Sequence, residues 1–166
     1  LIKAIIKEMQ LDDKVYKPAS VHARISMAKN NLMFPDEYAR TRSLIERDAE
    51  QKVPAVSAIY SAYCERCKKA NAMDFDDLLI NTYRLLVSDA DIRKKYSERF
   101  KYVLVDEYQD TNSVQQKIVW LLAEEHMHVC AVGDDAQSIY AFRGANIDNI
   151  LDFQKQFAGT RLFKLE

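Results

Sequence analysis

Apolar residues recur at helical spacing through the first part of the chain. Leu1, Ile2, Ile5, Ile6 and Met9 form one stripe, Val21, Ile25, Ala28 and Leu32 a second, and Val56, Ile59, Tyr60, Tyr63 and Cys67 a third. Pro18, Pro35 and Pro54 fall near the starts of these patterns, where a missing N–H is harmless. All three glycines come late, at Gly133, Gly144 and Gly159, so nothing of that kind interrupts the earlier helices. Asp74 precedes Phe75-Asp76-Asp77-Leu78-Leu79, and acids at that spacing suit the first turn of a further amphipathic helix. Capping is the simpler role for this acidic cluster, and direct chemistry the alternative.

After Phe100 the period shortens. Tyr102-Val103-Leu104-Val105 reads as a short buried strand, residues 113–125 as a crossover helix and Val129-Cys130-Ala131-Val132 as a second strand. Ile147, Ile150, Leu151 and Phe157 mark another helix, and Arg161-Leu162-Phe163-Lys164-Leu165 reads as a third strand. The pattern predicts an α/β chain, mostly helical first and then a parallel sheet with flanking helices, with the boundary near residues 90–101.

Composition changes this picture little. The chain has 166 residues, is 48% hydrophobic and 30% charged, and so has the makings of a folded core. No apolar run is long enough to span a membrane and no basic-then-apolar leader opens the chain, so a cytoplasmic setting without membrane partners is expected. Cys64, Cys67 and Cys130 then read as reduced thiols; Cys64 and Cys67 have metal-ligand spacing but no second pair. Residues 1–100 carry 18 Lys/Arg against 15 Asp/Glu, whereas residues 101–166 carry 6 against 10. A basic half beside an acidic half is compatible with a nucleic-acid partner and a metal, and equally with ordinary solvated faces. His22, His126 and His128 have no evident carboxylate partner and are given no chemical role.

The candidate chemistry lies at the two strand ends. The first strand runs into Asp106-Glu107-Tyr108-Gln109-Asp110-Thr111-Asn112, the second into Gly133-Asp134-Asp135-Ala136-Gln137-Ser138-Ile139-Tyr140-Ala141-Phe142-Arg143-Gly144-Ala145. The separation fits one right-handed βαβ crossover, which brings both C-terminal ends to one crevice. Carboxylates there can hold a hard cation or act as a base; acids at a solvated sheet edge can also be inert. Asp134 and Asp135 serve equally as turn caps or as ligands. Tyr140 and Phe142 are either core residues or an exposed aromatic platform.

Together the two blocks resemble motif II (the Walker B motif, DE-x-QD) and motif III (GDD-x-QSIY-x-x-RGA) of the UvrD/PcrA/Rep-type superfamily 1 DNA helicases. Asn71-Ala72-Met73-Asp74-Phe75-Asp76-Asp77-Leu78-Leu79 resembles the family's FDDLL segment, so the likeness covers essentially the whole chain. It implies that residues 1–100 are the helical insertion of the first motor domain and residues 101–166 part of its RecA-like ATPase core. The implied cofactors are ATP and Mg²⁺. Asp106 would hold the metal, and Glu107 would polarise the water that attacks the γ-phosphate. Gln137 would sense that phosphate, and Arg143 would link the sensor to DNA. Tyr140 and Phe142 would belong to a single-strand track, where stacking is blind to sequence. The implied partners are single-stranded and duplex-junction DNA, with repair or replication proteins as further candidates.

The chain departs from the family pattern in three ways. Phe142 stands where many members have Trp, and Ala136 where a third Asp is common. No G-x-x-x-x-G-K-[ST] phosphate loop is present, and the sequence stops about where the next family motif would begin. The expectation is an excised middle piece of a 3′-5′ DNA helicase that does not hydrolyse ATP alone. One alternative is a catalytically degenerate paralogue that binds DNA or a partner protein. Another is a two-metal nuclease using Asp106, Glu107, Asp134 and Asp135.

Overall fold

The computed structural model describes residues 1–134, 145 and 148–164, which fall into two compact units, residues 1–80 and residues 81–166. The first unit is helical: α1 (Ile2–Glu8), α2 (Pro18–Asn30), α3 (Pro35–Arg40), α4 (Arg42–Glu50), α5 (Val56–Lys69) and the start of α6 (Phe75–Ser88). Pro18 and Pro35 open α2 and α3 at the position where a helix has no use for an N–H. Helix α5 packs against α1, α2 and α3. It buries Val56, Ile59, Tyr60, Tyr63 and Cys67, the whole third stripe, among Ile2, Ile5, Ile6, Val21, Ile25, Ala28 and Tyr38. Several polar groups brought into this core are paired, although Arg47 Nε is buried without a hydrogen-bond partner among the described residues. Buried Asp48 accepts hydrogen bonds from Tyr38 Oη at 2.7 Å and from the Arg24 guanidinium, while Tyr60 Oη donates to the Met33 carbonyl at 3.0 Å.

The FDDLL segment is built on caps. Asp74 Oδ1 accepts from the Asp77 N–H at 2.8 Å and Asp77 Oδ2 accepts from the Asp74 N–H at 3.1 Å, a reciprocal box at the start of α6. The remaining oxygens hold Lys29, whose Nζ lies 2.7 Å from both Asp74 Oδ2 and Asp77 Oδ1. Tyr63 Oη also donates to Asp74 Oδ2, at 2.8 Å. Burial alone would lower the Lys29 pKa, but its two carboxylate partners outweigh it and the ammonium titrates above its ordinary range.

The second unit holds the end of α6, then α7 (Ala90–Arg99), β1 (Val103–Val105), a 3-10 turn (Tyr108–Asp110), α8 (Ser113–Ala123), β2 (Val129–Ala131), α9 (Asp148–Leu151) and α10 (Phe153–Gln156). Strands β1 and β2 pair in parallel, with Val103 opposite Val129 and Val105 opposite Ala131, and α8 is the crossover between them. The expected α/β architecture is present. One face of this sheet carries Val103, Val105, Val129 and Ala131 into a core with Tyr108, Val119, Trp120, Ala123, Phe153 and Phe157. Tyr108 and Phe153 meet edge to face at 5.1 Å.

Three expectations need correction. The first strand is not buried on both sides: Leu104 is 76% exposed, and Tyr102, Cys130 and Val132 on the same face are exposed too. A parallel sheet is usually covered on both faces, and among the described residues α8 with the C-terminal helices covers only one. Residues 161–164 form no strand, and Leu162 and Phe163 are exposed. A strand needs a hydrogen-bonding neighbour, and the sheet of the described residues contains β1 and β2 alone. The helix marked by Ile150, Leu151 and Phe157 is two short helices separated at Asp152, with Phe157 buried and Leu151 exposed; Ile147 lies outside the described residues.

Candidate functional site

The site begins where β1 ends. The parallel ladder continues past both strands, the Val132 N–H donating to the Val105 carbonyl at 2.8 Å and the Tyr108 N–H to the Val132 carbonyl at 2.9 Å. This places Asp106-Glu107 beside Gly133-Asp134 at the C-terminal edge of the sheet. Asp106, Glu107 and Asp134 are all solvent-exposed there. Asp106 Oδ1 accepts the Glu107 N–H at 2.9 Å.

Glu107 has φ 49° and ψ 45°, the left-handed region that a side chain with Cβ enters at a cost of about 1–2 kcal/mol. That conformation turns the chain from the strand directly into the 3-10 turn. Tyr108 is thereby directed into the core and Gln109 beneath the strand ends, both essentially without exposure. Gln109 Nε2 donates to Glu107 Oε2 at 2.6 Å, and Gln109 Oε1 accepts the Asp134 N–H at 3.1 Å. A side chain at Gly133 would force its neighbours to shift, because a Cβ there would lie 2.5 Å from Gln109 Oε1 and 2.8 Å from Ile150 Cδ1.

The support behind the turn is also hydrogen-bonded. Thr111 Oγ1 donates to the Tyr108 carbonyl at 2.6 Å, and buried Asn149 donates to the Thr111 carbonyl at 2.9 Å and to Thr111 Oγ1 at 3.2 Å. Asn112 caps α8 through a reciprocal box with Gln115 and pairs with Ala145 in an antiparallel bridge. Ala145 is thus tied back to the end of the first strand's turn.

Of the residues singled out in the sequence, the structure brings together Asp106, Glu107 and Asp134. Asp135, Gln137, Tyr140, Phe142 and Arg143 lie outside the described residues. Exposed carboxylate oxygens are a donor set that suits a hard cation such as Mg²⁺, which takes one or two carboxylates and completes its shell from phosphate and water. Among the described residues no three His, Cys, Asp or Glu side chains gather as a metal site, so the four-carboxylate nuclease arrangement gains no support from them. Sequence reasoning gave no role to Gln109, Thr111 or Asn149. Gln109 sits inside the DE-x-QD block and was in view; the Asn112-x-x-Gln115 box has a readable spacing; Asn149 carries no local signal at all.

Residues 1–158 match the family model described as UvrD/REP helicase N-terminal domain. The ATP-dependent DNA helicase PcrA of Leuconostoc citreum is 40% identical over 166 residues, taking in 100% of this chain and 21% of that protein. PcrA of Bacillus subtilis is 39% identical, with 100% of this chain and 22% of that protein covered. The ATP-dependent DNA helicase UvrD1 of Mycobacterium tuberculosis is 39% identical over 173 residues, again covering 100% and 22%. The chain therefore spans about a fifth of the length of these relatives. Among the described residues no helix is long and apolar enough to cross a membrane. The match over nearly the whole chain, on a fold whose two acidic strand ends lie side by side, identifies the chain as a member of the UvrD/REP helicase N-terminal domain family.

Proposed function

We propose that this chain is a segment of an ATP-dependent 3′-5′ DNA helicase, supplying the carboxylate half of its ATP site and part of its single-stranded DNA track. The observation that carries this reading is the juxtaposition of Asp106-Glu107 with Gly133-Asp134 at one sheet edge, in a chain matched along its length by ATP-dependent DNA helicases. Bound Mg²⁺ would screen the phosphate charge that builds up during hydrolysis. Asp106 would hold that ion, directly or through water. Glu107, turned out toward solvent by its left-handed backbone, would orient the attacking water and take its proton.

Gln137 and Arg143 would couple the nucleotide to DNA, and Tyr140 and Phe142 would stack bases; these roles rest on the family resemblance. Without a phosphate loop of its own, the segment binds nucleotide poorly and does not turn it over alone. Single-stranded DNA, duplex junctions and repair or replication proteins are the partners this reading implies, in a cytoplasmic setting.

The test is Glu107→Gln in the full-length protein, which removes a base and keeps the shape. DNA-stimulated ATP hydrolysis should fall by at least about a hundredfold while ATP binding is retained. Turnover within about tenfold of the parent would exclude Glu107 as the base. A full-length parent that binds DNA yet never hydrolyses ATP would instead favour the degenerate DNA- or partner-binding alternative.

A further inference from the structure

Gln109 is 1% exposed, yet both ends of its amide face the polar corner between the two strand ends. The amide nitrogen donates to Glu107 Oε2 at 2.6 Å and the amide oxygen accepts the Asp134 N–H at 3.1 Å. Chemistry fixes the amide one way round: an ionised carboxylate only accepts and a backbone N–H only donates. A primary amide offers both functions at the end of one side chain. Gly133, lacking a Cβ, leaves the room the amide oxygen occupies, and the neighbouring backbone is held by the Tyr108 N–H bond to the Val132 carbonyl and by the Thr111 bonds to the Tyr108 carbonyl.

We infer that Gln109 is a positioning residue, which fixes the rotamer of the Glu107 carboxylate and ties it to the backbone at Gly133-Asp134. This rests on the reading of Glu107 as the group that orients the attacking water. An exposed glutamate samples several rotamers, and few of them put an oxygen where water attack needs it. A buried, doubly bonded amide selects one. Because the second bond goes to the Asp134 N–H, the same amide also fixes the Glu107 carboxylate relative to the end of the second strand.

The experiment uses Gln109→Met and Gln109→Glu in the full-length protein. Methionine keeps the length and loses both polar functions, whereas glutamate keeps the shape and loses the donor. Either variant should lower kcat for DNA-stimulated ATP hydrolysis about ten- to a hundredfold, the range for losing a hydrogen bond to a charged group, with KM for ATP within about twofold. In a Glu107→Gln background, Gln109→Met should add almost nothing to the loss, because the residue acts through Glu107. Parental kcat in either folded variant, or a further loss of tenfold or more on top of Glu107→Gln, overturns the inference. Should Glu107→Gln itself keep turnover, it is the underlying reading of Glu107 that fails. A variant that loses KM and kcat together with its melting temperature assigns Gln109 to the fold alone.

Discussion

Replacing Lys29 by methionine keeps most of a buried side chain and removes the cation that bridges Asp74 and Asp77. In the parent, the Lys29 side chain is 2% exposed and sits 2.7 Å from each carboxylate, whose own exposures are 18% and 21%. Breaking a buried ion pair by removing one partner costs about 3–5 kcal/mol, because the other charge stays behind without compensation. Here the acids keep some solvent and their mutual N–H bonds, so the low end, about 3 kcal/mol, is expected at neutral pH. With a urea slope of about 1–3 kcal/mol/M, the loss of helical ellipticity should move down by roughly 1–3 M.

The pH dependence sharpens the test. Burial raises the Asp74 pKa, but Lys29, the Asp77 N–H and the Tyr63 hydroxyl together bring it below its ordinary value of 3.8. A carboxyl lowered in the folded state contributes stability that is complete above the unfolded pKa and is lost as pH falls through the folded one. In the variant the cation's share of that lowering is gone while the Asp77 N–H and Tyr63 bonds remain, so Asp74 should titrate higher than in the parent and folding should lose less to acid. The deficit of Lys29→Met should therefore be largest near neutrality and shrink below about pH 4. A deficit under about 1 kcal/mol at neutral pH, the size of a surface ion pair, would refute the reasoning. So would a deficit that stays constant into acid.

Two further outcomes follow from the site. Gly133→Ala should destabilise the second unit by about 1–3 kcal/mol through overpacking against Gln109 and Ile150, read as earlier melting of Trp120 emission; Gln109→Ala in the same chain should recover part of the loss, and strict additivity would contradict the proposed clash. Phe142→Ala in the full-length protein should weaken single-stranded DNA binding by about tenfold or more, at an unchanged salt slope, because a stacked base contributes about 1–3 kcal/mol and releases no counterions; unchanged affinity with a lowered melting temperature would make Phe142 a core residue instead.

Local pattern was enough where helices bury one face. The third stripe is buried at every position named, and the Asp74 and Asp77 spacing is the observed capping box. Stripe edges were less legible: Met9 is the exposed cap of α1, and Leu32 lies past the end of α2 with φ 56°. Helices α4 and α7 gave no apolar stripe that stood out, since each buries a single polar residue, Asp48 and Ser97. Burial of Lys29 could not be read locally, because the carboxylates that make it tolerable stand more than forty positions away. At the site, apolar runs ending on acids marked both strand ends. What the pattern could not supply was the left-handed turn at Glu107 and the route of Gln109 beneath it, both set by contacts across the crossover.

The face of the β1–β2 pair that no described element covers has a practical consequence. Tyr102, Leu104, Cys130 and Val132 form an apolar strip on a parallel sheet, where soluble proteins normally place a helix. Handled as an isolated polypeptide, the segment will behave as a colloid with one adhesive side: its concentration limit will be set by self-association before the unfolding temperature is reached. Solubility, more than thermal stability, is the property to watch in the segment by itself, and dilute, cold, reducing buffers are the conditions in which its intrinsic fold can be measured.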